Sequence, residues 1–357
     1  MRKQRFREKK QPDKLINGIR GWYFDPETVE KANRKGQLLT LDYEYGAACN
    51  LHCVYCYRTE DTRDENHALL NFVEWKHVVD DAKDLGVKSI KLIGGGEITE
   101  EKRFFEAMEY IANKDIIIVL FTAGTVLGNE NLCRSIHGIS RQEFAQRLYD
   151  MGMSIFLKAD SFDHVLQDKI AGKKGFAIQR DSALELLLAM DFNEHNPTRL
   201  GLEVNVSSYN IHEIMDIYRM RIKYNLYEDV VISMPCDAYF RNKDYDISLQ
   251  EKGELYRQIY CYNVEHNIPI DNISPFMGGL VCTQLGNGLY VTCRGDVFHC
   301  PGAFNNLGNT KNKSLKEIWQ SFYESKNYHS LFFCPFRENE GIIPTELIYN
   351  IREQFGF

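Results

Sequence analysis

From Gly36 to His266 the chain alternates six strand-like segments with helix-like ones, and this pattern limits the folds open to it. Leu38 to Tyr45 alternates apolar and polar positions, as a half-buried strand does. Val73 to Leu85 carries Val73, Val78, Val79, Ala82 and Leu85 at helical spacing, with Gly86 as a stop. Lys88 to Ile93, Ile116 to Thr122, Ser154 to Ala159, Arg199 to Val206 and Val230 to Met234 read as further strands. Glu101 to Ala112, Arg141 to Asp150, Ser182 to Met190, Ile211 to Tyr224 and Leu249 to His266 read as helices. A helix between consecutive strands implies an α/β fold: a parallel sheet clothed by helices, closed as a partial (β/α)6 barrel or left open. Either way, ligands sit at the C-terminal ends of the strands.

The flanks differ. Residues 1–37 form a lead-in, and Arg2, Lys3, Arg5, Arg7, Lys9 and Lys10 make it a basic, solvated terminus. The barrel pattern fills residues 38–274. Residues 275–357 look like a small appended module: a β-hairpin, a helix and Cys334-Pro335. Leu289 to Thr292 and Asp296 to His299 flank a two-residue turn, Arg294-Gly295, and Ser314 to Phe322 is the helix. With 43 basic and 50 acidic residues the net charge is −7, which disfavours a nucleic-acid partner. The longest apolar run, Ile116 to Phe121, is far short of a membrane span, so no membrane partner is expected. The charged N-terminus lacks a signal-peptide stretch, which points to the cytoplasm, where thiols stay reduced. Ten cysteines there are ligands or reactive thiols rather than a disulfide framework.

Three of them, Cys49, Cys53 and Cys56, lie within eight residues after the first strand. Thiolates so spaced suit a soft metal centre, an iron–sulfur cluster or zinc. Three ligands leave one metal position open, as catalysis requires. His52, between two of the cysteines, has little room to fold back as a fourth. Gly94-Gly95-Gly96-Glu97 follows the second strand. Its glycines let the backbone approach a ligand, and Glu97 can accept from an ammonium group. Thr122-Ala123-Gly124 ends the third strand, Asp160-Ser161 the fourth, and Asn205 lies on the fifth. Ser161 either meets a ligand or caps a helix beginning near Phe162. Asn205 either reaches a ligand or satisfies nearby backbone.

This series resembles the radical S-adenosylmethionine (SAM) superfamily. Its signature is C-x3-C-x2-C with an aromatic residue before the last cysteine, here Tyr55. The resemblance implies a [4Fe–4S] cluster on Cys49, Cys53 and Cys56 whose fourth iron binds SAM, and reductive cleavage of SAM to a 5′-deoxyadenosyl radical. It implies a SAM site drawn from Tyr55, Gly94, Gly95, Gly96, Glu97, Thr122, Asp160, Ser161 and Asn205, with Glu97 on the amino group. Ile98 stands where the family has proline, and Ala123 where it has asparagine. An external electron donor of flavodoxin or ferredoxin type is implied as well.

In the tail, Cys282, Cys300 and Cys334, with the G-x4-C run from Gly295 to Cys300, resemble the Twitch and SPASM modules. That implies an auxiliary [4Fe–4S] cluster. The tail has fewer cysteines than a full SPASM pattern, so a shortened, Twitch-like form is expected. A two-residue turn sets Leu289 opposite Cys300 and leaves Cys293 at the hairpin tip, on the order of 13 Å from Cys300 and out of a shared cluster, with a shifted register as the alternative that would bring it in. Cys236, just after the sixth strand, faces the strand-end cavity by topology, as a hydrogen-atom or proton donor or as an ordinary buried thiol.

The expected activity is therefore hydrogen abstraction from a small polar substrate, such as a sugar, aminocyclitol or nucleotide, leading to oxidation, epimerisation or rearrangement. Modification of a peptide or protein is the alternative. Fewer than 50 residues precede Cys49, too few for a leader-binding domain, which weighs against it. A non-catalytic electron-transfer protein would explain the cysteines but not Gly94 to Glu97.

Overall fold

Strand periodicity gives the sheet two chemically different faces. The structure, a computed structural model, describes residues 18–22, 24–56, 68–232, 243–269, 284–301, 303, 305–325 and 344–354. Strands β1 (Thr40–Tyr43), β2 (Ser89–Leu92), β3 (Ile117–Thr122), β4 (Ser154–Lys158), β5 (Leu200–Val206) and β6 (Tyr227–Ile232) pair in chain order, all parallel. The helices are α1 (Pro26–Arg34), α2 (Phe72–Leu85), α3 (Phe104–Ala112), α4 (Thr125–Gly128), α5 (Glu130–His137), α6 (Arg141–Asp150), α7 (His164–Ala171), α8 (Phe176–Ala189), α9 (Ile214–Tyr224), α10 (Leu249–Glu265), α11 (Gln284–Asn287), α12 (Leu315–Glu324) and α13 (Thr345–Glu353). None is long and apolar enough to cross a membrane.

One face of the sheet turns Leu41, Tyr43, Ile90, Leu92, Ile118, Leu120, Ile155, Leu157, Leu202 and Val204 onto the helices as the main core. By the same alternation Asp42, Lys91, Lys158, Glu203 and Asp229 lie on the other face. There Val119, Phe156 and Tyr227 form a separate apolar cluster with Ile19, Trp22 and Phe121. The basic tail, Arg2 to Lys10, lies outside the described residues, while the later part of the lead-in packs here. Trp22 sits 5.4 Å from Phe121 and 5.1 Å from Phe156, ring centre to ring centre. Ile19 bridges to Thr198, and Asp25 caps α1 through the Thr28 N–H at 2.9 Å. The partners of Trp22 and Ile19 lie about a hundred residues or more away, beyond the reach of a local pattern.

Among the described residues, the tail joins the sheet of the barrel. Strand β7 (Gly288–Val291) pairs parallel with β1, from Thr40 opposite Gly288 to Tyr43 opposite Val291. Strands β8 (Asp296–Phe298) and β9 (Gly308–Asn309) follow antiparallel, so the hairpin continues the barrel sheet into nine strands. Its loop has three residues, not two. Gly295 N–H donates to Thr292 O and Thr292 N–H to Asp296 O, both at 2.9 Å. Gly295 itself takes φ 89°, the left-handed residue such a loop needs. The register pairs Tyr290 with Phe298, which puts Leu289 opposite His299 rather than Cys300. Helix α12 locks the tail to the barrel: Leu315 N–H donates to Asp81 at 2.9 Å and Trp319 Nε1 to Gly36 O at 2.7 Å.

Candidate active site

The loop carrying Cys49, Cys53 and Cys56 is hung on the end of α7. His52 N–H donates to Ala171 O and Val54 N–H to Ile170 O, each at 3.0 Å, using carbonyls that a helix C-terminus leaves open. Cys49 is exposed, whereas Cys53 and Cys56 are half-buried. Although Cys49 is exposed as a residue, desolvation around its sulfur pushes the thiol up to about 12, with Glu97, Cys53 and Cys56 adding to the rise; burial pushes the Cys53 thiol up to about 11, with Asp160 and Cys56 adding and Lys158 opposing. Such thiols become ligands only as a metal displaces their protons. Among the described residues, no three His, Cys, Asp or Glu side chains converge where a single ion could hold them together. An iron–sulfur cluster does not ask for that convergence, because each thiolate takes its own iron.

The glycine turn lies directly against this loop. Gly94 and Gly95 take φ 68° and 85°, conformations that favour glycine. Gly96 is held by space instead: a Cβ there would stand 2.0 Å from Ala48 O. Glu97 N–H donates to the same carbonyl at 2.8 Å, one residue before Cys49. The buried Glu97 carboxylate accepts from the Thr122 and Thr99 hydroxyls, both at 2.5 Å, and from Ala123 N–H at 2.6 Å. Burial raises its pKa, and these bonds work against the rise. The ends of β2 and β3 are therefore joined through one carboxylate.

Asp160 joins the ends of β4 and β5 to the cysteine loop. Its carboxylate accepts from Tyr55 at 3.0 Å, from Asn205 N–H at 3.1 Å and from Gln167 Nε2 at 3.1 Å, and it pairs with Lys158. Lys158 also contacts the Tyr55 hydroxyl and lies 4.3 Å from the centre of its ring. The Asn205 side chain accepts from the Tyr245 hydroxyl at 3.2 Å. Ser161 is not a helix cap; Asp163 caps α7 through Leu166 N–H at 2.9 Å. The Ser161 hydroxyl instead donates to Glu213 at 2.7 Å.

Behind Asp160 stands Arg180, fully buried. It donates to Ser161 O at 2.8 Å, Gln167 Oε1 at 3.0 Å and Asp181 at 2.9 Å, and His164 bonds the other Asp181 oxygen at 2.7 Å. Sequence reading missed Lys158, Gln167 and Arg180. Only Lys158 had a signal, two residues before Asp160 and so on the same side of its strand. Across the sheet Lys158 registers with Glu203, and Glu203 with Asp229. Burial, with Asp229 and Asp160 nearby and Lys158 opposing, holds Glu203 up at about 7.

Cys236, Cys282 and Cys334 lie outside the described residues. Cys300 is half-buried just past β8. Cys293 is buried, its N–H donating to Glu44 at 2.9 Å and its carbonyl accepting from Leu70 N–H at 2.8 Å.

A comparison with known families matches residues 43–220 to the radical SAM superfamily and residues 282–342 to SPASM, an iron–sulfur cluster-binding domain. The chain belongs to the radical SAM superfamily. Like other members it is an enzyme, dependent on SAM and a [4Fe–4S] cluster, and its SPASM part serves an auxiliary [4Fe–4S] cluster. That sets aside the non-catalytic reading. Among similar radical SAM proteins, the mycofactocin maturase MftC of Mycolicibacterium smegmatis is 24% identical over 333 residues, 88% of this chain and 77% of that protein. The GTP 3′,8-cyclase of Desulforamulus reducens is 25% identical over 194 residues, 52% of this chain and 53% of the cyclase. The fold is shared with Streptococcus suis SuiB. Bound to S-adenosylmethionine, SuiB matches with a TM-score of 0.58 at 16% identity over 83% of this chain and 72% of its own. Bound to precursor peptide SuiA, it matches with a TM-score of 0.59 at 16% identity over 82% and 67%.

Proposed function

We propose that the chain is a peptide-modifying radical SAM enzyme whose SAM-binding cluster is held by Cys49, Cys53 and Cys56. When bound, the cluster and SAM supply a 5′-deoxyadenosyl radical able to take hydrogen from an unreactive carbon. The chain's own part is placement. The α7 carbonyls fix the cysteine loop, and Gly94, Gly95 and Gly96 bring backbone close to the ligand beside it. Glu97, anchored by Thr122, Thr99 and Ala123, offers its carboxylate edge to the SAM ammonium group. Tyr55 and Lys158, held by Asp160, line the opposite side, with Ser161 and Asn205 keeping that strand end in shape. In the tail, Cys300 with Cys282 and Cys334 serve as ligands of the auxiliary cluster. Cys293 is left out, since it is buried in the hairpin loop with its backbone held by Glu44 and Leu70.

The observation that carries the peptide reading is the extent of the match to MftC. That likeness to a maturase runs through 88% of the chain, whereas the likeness to the nucleotide cyclase covers 52%. The fold agrees with it, since SuiB holds a precursor peptide. A small polar metabolite is the competing substrate. The test incubates reduced, cluster-loaded protein and SAM with short peptides encoded beside its gene, and in parallel with sugars, aminocyclitols and nucleotides. The expected result is a peptide of altered mass, formed in step with 5′-deoxyadenosine. Conversion of a small metabolite with every peptide left intact would overturn the reading.

A further inference from the structure

We infer that the tip of the α7–α8 hairpin, carrying Lys169, Lys173 and Lys174, is where a small acidic one-electron carrier protein docks to reduce the SAM-binding cluster. This rests on the placement of that cluster on Cys49, Cys53 and Cys56.

His52 and Val54 bond to the last two carbonyls of α7, as described above. The chain then turns at Gly172, φ 64°, where a Cβ would stand 2.4 Å from His52 O. The tip therefore touches the cysteine loop between its first two thiols. The loop's other flank, at Ala48, is filled by Gly96 and Glu97. Among the described residues, His52, Lys169 and Gly172 are exposed on the hairpin side, where a donor comes close without displacing SAM.

From Lys169 to Arg180 the chain carries no acidic residue. Asp168, the nearest, has one carboxylate oxygen on Gly175 N–H at 2.5 Å and the other on Ala177 N–H at 2.8 Å. Lys169, Lys174 and His52 are exposed and Lys173 is half-buried. On a protein of net charge −7, such a patch is where an acidic carrier is drawn rather than repelled. Asp163 and Glu185 are exposed further along the two helices and confine the basic field to the tip.

Val165, one turn before Lys169, is 80% exposed, and Ile178, one turn after Lys174, is 63% exposed. Apolar contacts beside lysines suit the small, transient interfaces of redox partners. In the transfer itself one electron leaves the carrier and enters the oxidised cluster. The carrier is oxidised by one electron, the cluster is reduced by one, and no proton or group crosses.

The test compares the cluster-loaded wild type with K173E/K174E, reading 5′-deoxyadenosine formation under two reductants. One is an acidic flavodoxin kept reduced by its reductase; the other is photoreduced deazaflavin. With flavodoxin the variant should be slower by about tenfold or more. The wild-type rate with flavodoxin should fall as salt rises from about 0.05 to about 0.5 M, while that of the variant stays flat. With deazaflavin the two proteins should match at every salt concentration. Equal flavodoxin-driven rates would overturn the inference, and so would an equal loss under both reductants, which would assign the lysines to substrate or to the fold. Failure of the cluster placement shows separately, as deazaflavin-driven SAM cleavage that survives removal of Cys49, Cys53 and Cys56.

Discussion

The Tyr55 hydroxyl donates to the Asp160 carboxylate over 3.0 Å, fastening the cysteine loop to the end of β4. Asp160 is also the partner of the buried Lys158. Removing it would leave an uncompensated ammonium inside the protein. Asp160→Ala is expected to cost about 3–5 kcal/mol of stability. Tyr55→Phe removes one bond to a charged group and should cost about 1–3 kcal/mol. Denaturant titration of the cluster-loaded proteins checks the order. A Tyr55→Phe loss as large as that of Asp160→Ala would contradict this account.

Gly96 and Ala48 are in contact through backbone, with no flexible side chain to give way. Gly96→Ala should displace the turn or the loop before Cys49, lowering iron content and SAM cleavage together. Gly18→Ala, at a site with nothing within 4 Å, is the control and should leave both unchanged. Iron and 5′-deoxyadenosine assays on the two variants decide the point.

Arg180 ties Ser161, Gln167 and Asp181 together from a fully buried position. Arg180→Ala should lose about 3–5 kcal/mol, because the buried Asp181, Gln167 Oε1 and Ser161 O lose their shared guanidinium donor. Arg180→Lys supplies charge but not the planar fork, so it should recover only part of the loss. Full rescue by lysine, measured as the denaturation midpoint, would show that charge alone matters here.

Glu203 supplies a pH signature. Its carboxyl is held up at about 7, above an ordinary value of 4.5. Between those values the folded chain keeps a proton that the unfolded chain has released. Stability from this residue is therefore full below about pH 4.5 and is lost as pH rises through about 7. Glu203→Gln should remove that slope, gaining on the order of 2 kcal/mol relative to wild type between about pH 5 and pH 8. The difference between the two proteins at each pH isolates the residue. A difference that does not change with pH would contradict it.

Much of this architecture is legible in the chain. The strands alternate apolar with polar positions, with β3 a continuous apolar run, and the six appear where that pattern does, each shifted by no more than a few residues. Helix α6 begins and ends as read, because Ser140 caps it and its apolar spacing is unbroken. The strand-end motifs were readable since glycine and carboxylate at such positions have few other uses. What escaped depends on pairs far apart in sequence. Trp22 finds its rings on β3 and β4, Arg180 reaches from α8 to α7 and the end of β4, and β7 returns to β1 after some 245 residues. The hairpin register slipped by one because the Cys293-Arg294-Gly295 loop uses glycine after the turn instead of within it. The α7 start at His164 was missed because Asp163, not Ser161, makes the cap.

The most direct test of the central claim is SAM cleavage by the reduced protein after Cys49, Cys53 and Cys56 are all changed to alanine. It should be run beside Cys282→Ala/Cys300→Ala, with iron and sulfide measured on both. The account expects no 5′-deoxyadenosine from the triple variant, which should retain iron in its tail, and persistent cleavage from the tail variant. Deoxyadenosine produced at the wild-type rate by the triple variant would contradict it.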